Sequence, residues 1–207
     1  LAAVNHQRNT GIGQHIDISM LDTHVAWLAN QGMNYLSTGE VPERLGNNHP
    51  NIVPYQVMPS ADGYFVLSVG NDPTFERFCE VAGCQNLLED ARFNKAVERV
   101  RNRDHVTETL NEITRQHPSA WWLEALEAAK IGCGPINNLA EVFDDPQVQS
   151  REMVIEMDHP ATGSKKAKLI ASPIKMSETP AEYRLAPPLL GQHTDEVLQE
   201  KLGLSAA

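Results

Sequence analysis

Cysteine, basic side chains and long apolar runs are all scarce in this chain of 207 residues, and each scarcity excludes something. The three cysteines, Cys79, Cys84 and Cys133, are too few and too irregularly spaced for a disulfide framework or a zinc site. They read as reduced, buried small hydrophobes of a cytoplasmic protein. Lys and Arg number 17 against 27 Asp and Glu, a formal net charge of −10. That balance excludes sequence-independent nucleic-acid binding, which needs clustered basic residues. No run approaches the roughly 18 apolar residues of a membrane span, and no N-terminal signal pattern is visible. Neither nucleic acid nor a membrane is therefore an expected partner.

Other signatures are missing too. The 8 histidines include no i, i+4 pair and no His-Glu-x-x-His, so no metal is expected. Gly11-Ile-Gly13 lacks the third glycine of a dinucleotide fingerprint and the Gly-Lys-Ser/Thr of a P-loop, and reads as a turn. Ser19, Ser60 and Ser68 lack the glycines of a nucleophile elbow. Asp17 and Asp22 read as a strand-end residue and a first-turn helix residue, and Asp144-Asp145 before Pro146 as a cap and turn.

What is present is an ordinary hydrophobic fraction of 41%, arranged in segments of changing period. The start, Leu1 to His6, reads as the end of a helix stopped at Asn9-Thr10-Gly11. Gln14 to Met20 alternates polar and β-branched residues and predicts a strand, followed by one helix from Leu21 to Gly39. Glu40 to Tyr55 turns to Pro, Gly, Asn and His, a linker or shaped loop. Gln56–Met58 and Tyr64–Val69 flank Pro59-Ser-Ala-Asp-Gly63 and predict a β-hairpin. Asn71-Asp72 cap a helix from Thr74 to Ala82.

Residues 85 to 130 are expected to be mostly helical. One apolar stripe carries Val97, Val100, Val106, Leu110 and Ile113, and another Trp121, Trp122, Leu123 and Leu126. Gly132-Cys-Gly-Pro135 reads as a breaker and Asn138 to Phe143 as a short helix. Val154 to Met157, Lys168 to Ala171 and Pro173 to Met176 are strand-like. A proline-rich tail leads to a helix from Thr194 to Leu202. The fold class expected is α/β and α+β: a small α+β domain flanked by pieces of a Rossmann-like large domain. The expected map is 1–38 large domain, 39–50 linker, 51–150 small domain, 151–184 strands and second linker, and 185–207 return to the large domain. Leu1 is not Met and falls within a helix, so the chain is expected to be a piece of a longer protein.

The best site candidate is Leu45-Gly-Asn-Asn-His-Pro-Asn-Ile-Val-Pro-Tyr55. Its side-chain amides and backbone N–H groups can meet an anion or carbonyl while the prolines hold its shape, although an inter-domain linker fits the composition equally well. The candidate residues are Asn47, Asn48, His49, Asn51 and Tyr55.

Many short motifs in fixed order then point one way. They include Arg8-x-Thr10-Gly11-x-Gly13-Gln14-x-Ile16-Asp17-x-Ser19, Gly46-x-x-His49-x-x-x-x-Pro54-Tyr55, Asp62-Gly63-Tyr64 and Gly70-Asn71-Asp72. Arg99-x-x-Asn102-Arg103, Gly134-Pro135-Ile136-Asn137, Asp145-Pro146-Gln147, Ser172-Pro173-Ile174 and Leu190-Gly-Gln-His193-Thr194 follow. Together they resemble the family III CoA-transferases, the group of formyl-CoA transferase, carnitine CoA-transferase and α-methylacyl-CoA racemase, over nearly the whole chain.

The resemblance implies a Rossmann-like large domain, a small α+β domain, and two subunits interlocked as a homodimer. It implies transfer of coenzyme A between carboxylic acids through an aspartyl anhydride and an aspartyl-CoA thioester. The substrates would be an acyl-CoA and a carboxylic acid, with no bound cofactor beyond CoA itself. The nucleophilic aspartate would lie about a dozen residues before Leu1 on the family pattern, so no catalytic residue is expected in this chain, and Asp17 and Asp22 do not match it. Asn47 to Tyr55 would correspond to the family's glycine-rich loop, here rich in Asn and His. Asn-His-Pro…Pro-Tyr and Gly-Asn-Asp lean towards transferases over racemases. The isolated 207 residues are expected to be a dimerisation or binding module without turnover.

Overall fold

The computed structural model describes residues 1–163 and 165–204. It divides into two compact units, Leu1–Ile136 and Asn137–Ala207.

The first unit begins with α1 (Ala2–Thr10), ended by Gly11 in the left-handed region at φ 76°. Two helices follow, α2 (Met20–Trp27) and α3 (Ala29–Thr38), the second closed by Gly39 at φ 75°. Leu28 separates them, so the single helix expected from 21 to 39 is two. Ser19 caps α2, its side chain accepting from the Asp22 N–H.

The strand expected at Gln14 to Met20 is absent. Residues 12–19 are irregular, and Ile16 and Ile18 stand 62% and 78% exposed. Alternation marks a segment able to pair, but a strand exists only where another strand supplies the ladder bonds, and this segment has no such neighbour among the described residues.

The core lies further along. Strands β1 (Tyr55–Pro59) and β2 (Tyr64–Ser68) form the expected hairpin, Tyr55 opposite Ser68 and Pro59 opposite Tyr64. Next come α4 (Asp72–Ala82), a 3₁₀ turn at Gln85–Glu89, α5 (Ala96–Arg101), α6 (Arg103–Thr114), α7 (Ser119–Ala128) and β3 (Gly132–Pro135). The Asn71 side chain caps α4, accepting from the Thr74 N–H.

Gly132–Pro135, expected as a breaker, is the third strand, in the order β1-β2-β3 and antiparallel to β2. Gly132 allows close approach rather than ending structure: a Cβ there would sit 3.2 Å from the Ser68 Cβ.

The helices close over the inner sheet face. Phe65, Leu67, Phe75, Phe78, Val106, Leu110, Trp122 and Leu126 are buried together. Trp122 stacks on Phe65 and Phe78 at centroid distances of 5.8 and 6.1 Å. Its indole N–H donates to the Thr114 carbonyl at 2.7 Å, so the largest core side chain leaves no unmet donor. Of the first apolar stripe, Val106 and Leu110 are buried, but Val97 is 55% exposed and Arg99, 1% exposed, takes the inward place on α5.

The second unit opens with α8 (Leu139–Asp144), started by a capping box between Asn138 and Glu141, and α9 (Pro146–Ser150), capped by Asp145. Strands β4 (Val154–Asp158) and β5 (Lys166–Ile170) pair antiparallel, and α10 spans Thr194–Leu202. Pro173 to Met176 is irregular and adds no third strand. The architecture is thus mixed helices with small antiparallel sheets, an α+β fold. No helix among the described residues is long and apolar enough to cross a membrane.

Candidate functional site

Strand β1 lies at the sheet edge, and the segment before it folds back along that edge. The His49 N–H donates to the Tyr55 carbonyl at 3.0 Å, and the Asn47 side-chain oxygen accepts from the Val57 N–H at 2.9 Å. Those bonds occupy edge groups that would otherwise meet solvent. Gly46, at φ 60°, makes the turn, with the Asn48 N–H donating to the Leu45 carbonyl at 3.1 Å.

All five candidate residues are placed within this short stretch. Asn47 is committed to the strand edge. The Asn51 backbone N–H donates to His49 Nδ1 at 3.1 Å, and its side-chain amide pairs with that of Asn34 on α3, at 3.4 and 3.5 Å. The Tyr55 ring lies parallel to the His49 imidazole, centroids 5.2 Å apart and planes 6° from parallel. Asn48 and His49 are half-buried; Asn47, Asn51 and Tyr55 are exposed.

The imidazole is therefore oriented by two contacts. With Nδ1 accepting a backbone proton, a neutral His49 carries its own proton on Nε2 and offers that N–H as a donor. Such a group can bind a carboxylate or carbonyl oxygen.

Beneath the loop lie two arginines that the apolar periodicity did not reveal. Arg99 donates from Nε to the Val53 carbonyl at 2.9 Å, from Nη1 to the Phe93 carbonyl at 2.7 Å and from Nη2 to Asp72 at 3.0 Å. Its guanidinium lies 4.3 Å from the Phe75 ring centroid. Burial pulls its pKa down and Asp72 opposes that shift. Arg103 donates from Nη2 to the Pro50 carbonyl at 2.6 Å, and burial lowers its pKa as well. The one sequence signal for them is Arg99-x-x-Asn102-Arg103, which puts two cations four positions apart beside an apolar stripe.

Elsewhere, a cavity of about 790 Å³ in the second unit is lined by Glu152, Glu156 and Asp158 with Lys166, Arg184 and His193. Acidic and basic side chains are mixed along its lining, which selects for neither sign of ligand. Among the described residues no group of three or more His, Cys, Asp or Glu is arranged to hold a metal ion.

Comparison with known proteins adds to this geometry. Residues 1–194 match the model of CoA-transferase family III. Over 199 residues the chain is 41% identical to the succinate–glutarate CoA-transferase of Agrobacterium fabrum (strain C58), covering 96% of the chain and 49% of that protein. It is 34% identical over 202 residues to the succinyl-CoA:glutarate CoA-transferase of Homo sapiens, covering 98% of the chain and 46% of the relative. The crystal structure of a CAIB/BAIF family protein from Brucella suis superposes with a TM-score of 0.75 at 37% identity, covering 96% of this chain and 51% of that one. The chain thus spans about half the length of the relatives it matches.

Proposed function

We propose, from the premise that the chain belongs to CoA-transferase family III, that its protein moves coenzyme A between carboxylic acids. The carrying observation is the 41% identity to a protein named for succinate and glutarate, which favours short dicarboxylic acids as donor and acceptor.

In this reading an aspartate carboxylate, in a segment preceding Leu1, attacks the acyl-CoA carbonyl and expels the CoA thiolate, leaving a mixed anhydride. The thiolate then attacks the aspartyl carbonyl, releasing the donor acid and forming the aspartyl-CoA thioester. The acceptor carboxylate attacks that thioester and frees the thiolate once more. Finally the thiolate takes the acceptor's acyl group and restores the aspartate. Overall one thioester is exchanged for another of similar energy, so the exchange needs no other reactant, and the covalent intermediates divide it into easier steps. Anhydride and thioester must be kept from water, and the segment Asn47 to Tyr55 is the wall this chain supplies. Asn48 and the His49 Nε2–H face the acid substrate as donors, while Asn47, Asn51 and Tyr55 hold their geometry.

The same reading keeps the interlocked homodimer, the cytoplasmic location, and the map of a small domain over 51–150 between large-domain segments. Hydroxylamine tests the covalent step. Incubating the full-length enzyme with succinyl-CoA and hydroxylamine is expected to leave a hydroxamate on one aspartate; an enzyme that turns over with every aspartate unmodified overturns the covalent route.

A further inference from the structure

The loop from His49 to Val53 is tied from below at two carbonyls, by two arginines four positions apart across the α5–α6 junction. Arg99 takes the Val53 carbonyl and Arg103 the Pro50 carbonyl, at 2.9 and 2.6 Å. The Val69 N–H adds a third tie at the Pro54 carbonyl, 2.9 Å away.

The two anchors differ in stiffness. Arg99 has the Phe93 carbonyl, Asp72 and the Phe75 ring as further partners, and 1% of its side chain is exposed. Its planar fork reaches these acceptors together, which a lysine cannot do. Arg103 is half-buried, and its Nη1 is buried without a partner among the described residues. Bonds from a charged donor to a carbonyl are stronger than neutral ones, so both carbonyls are held firmly.

We infer that Arg99 and Arg103 are positioning residues that make this segment a fixed wall, setting where the His49 donor meets the acid substrate. The functional part rests on the reading under Proposed function. Neither arginine touches substrate. They act through the backbone of Pro50 and Val53, which carries His49 on one side and the Tyr55 ring that orients it on the other. A shift of about 1 Å in such a frame costs a large share of the gain from orientation.

The test uses the full-length protein with Arg103→Met, which keeps length but removes the donors, and Arg103→Lys, which keeps a charged donor. Hydrogen exchange is read over 47–57 and, as an internal control, over β2 and β3. Arg103→Met is expected to speed exchange at the His49 and Val57 amides by about tenfold while β2 and β3 hold their wild-type rates. Arg103→Lys is expected to restore part of the protection. In steady state, Arg103→Met raises KM for the acid acceptor by about tenfold with a smaller change in kcat, and Arg103→Lys recovers it in part.

Unchanged exchange over 47–57, or acceleration spread equally through β2 and β3, overturns the inference. Loop-confined acceleration with unaltered KM overturns its functional half. A wild-type enzyme without CoA transfer sinks the functional reading instead, while the exchange result still decides the clamp. Should Arg103→Met fail to fold, Arg103→Lys decides by the same readouts.

Discussion

Asp62, in the hairpin turn between β1 and β2, caps a helix that starts far along the chain: its Oδ1 accepts the Ser119 backbone N–H at 2.8 Å. Ser60 Oγ donates to the same carboxylate at 2.9 Å and lies 2.7 Å from Ser119 Oγ. The residue preceding α7 is Pro118, which has no side-chain oxygen to offer, so the cap comes from the turn. Sheet and helix are thereby joined at their ends.

The first prediction concerns pH. The Ser119 N–H and then the Ser60 hydroxyl hold the Asp62 carboxyl below the usual aspartate range. A carboxyl depressed on folding adds stability above its unfolded pKa of about 4 and loses it as pH falls through the folded value. Asp62→Asn is expected to lower the thermal midpoint at pH 7 and to flatten its decline in acid. An unchanged acid limb in differential scanning calorimetry contradicts this.

The second concerns β3. Gly132→Ala places a Cβ 3.2 Å from the Ser68 Cβ, whereas Gly134 has nothing within 4 Å of its Cβ position. Urea unfolding is expected to show Gly132→Ala destabilised by about 1–3 kcal/mol, because the Ser68 side chain must give way to the added methyl. Gly134→Ala should stay within about 0.5 kcal/mol of wild type, because the added methyl meets open space. Equal effects at both glycines contradict the close approach.

Trp122 supplies the third. Trp122→Ala is expected to cost about 3–5 kcal/mol, from the lost burial and the cavity left between Phe65 and Phe78. Trp122→Phe keeps most of the ring but strands the Thr114 carbonyl, and is expected to cost about 1–3 kcal/mol. Chemical denaturation of both variants measures the difference, and a Phe variant as stable as wild type removes the role given to the indole N–H.

Thiol access gives the fourth. Burial raises the Cys133 pKa, while the Cys79 thiol, bonding to Cys84, lowers that of Cys84 and has its own raised. Reactivity by thiolate content alone would favour Cys84. However, Cys84 is only 6% exposed and Cys79 fully buried, whereas Cys133 is half-buried, so access decides. Iodoacetamide on the native protein, read by peptide mass, is expected to modify Cys133 first and Cys79 last.

Local signals in the sequence mark most helix ends and turns, although the break at Leu28 between α2 and α3 carries none. Gly11 and Gly39 stop their helices, Asn71, Asn138 and Asp145 start theirs, and the Asp62-Gly63 turn sits in its hairpin. The errors arose where distant partners decide. Gln14 to Met20 has a strand's alternation but no partner strand among the described residues, and Gly132–Pro135 has a breaker's composition but β2 to pair with.

The candidate loop was legible because Asn, His and Pro crowd into one stretch. Its supports were not, since Arg99 reaches Val53 across 46 positions and an apolar stripe gives no reason to turn an arginine inward. The His49 tautomer likewise depends on a backbone N–H that only the folded loop brings to Nδ1.

Acyl-CoA exchange by the full-length enzyme decides whether it moves coenzyme A between acids. Succinyl-CoA is offered with a panel of unlabelled carboxylic acids, and the acyl-CoA products are resolved by mass. A new CoA thioester of a short dicarboxylic acid such as glutarate is expected, formed in equal amount with free succinate. No new thioester from any acid, with a folded enzyme present, would contradict it.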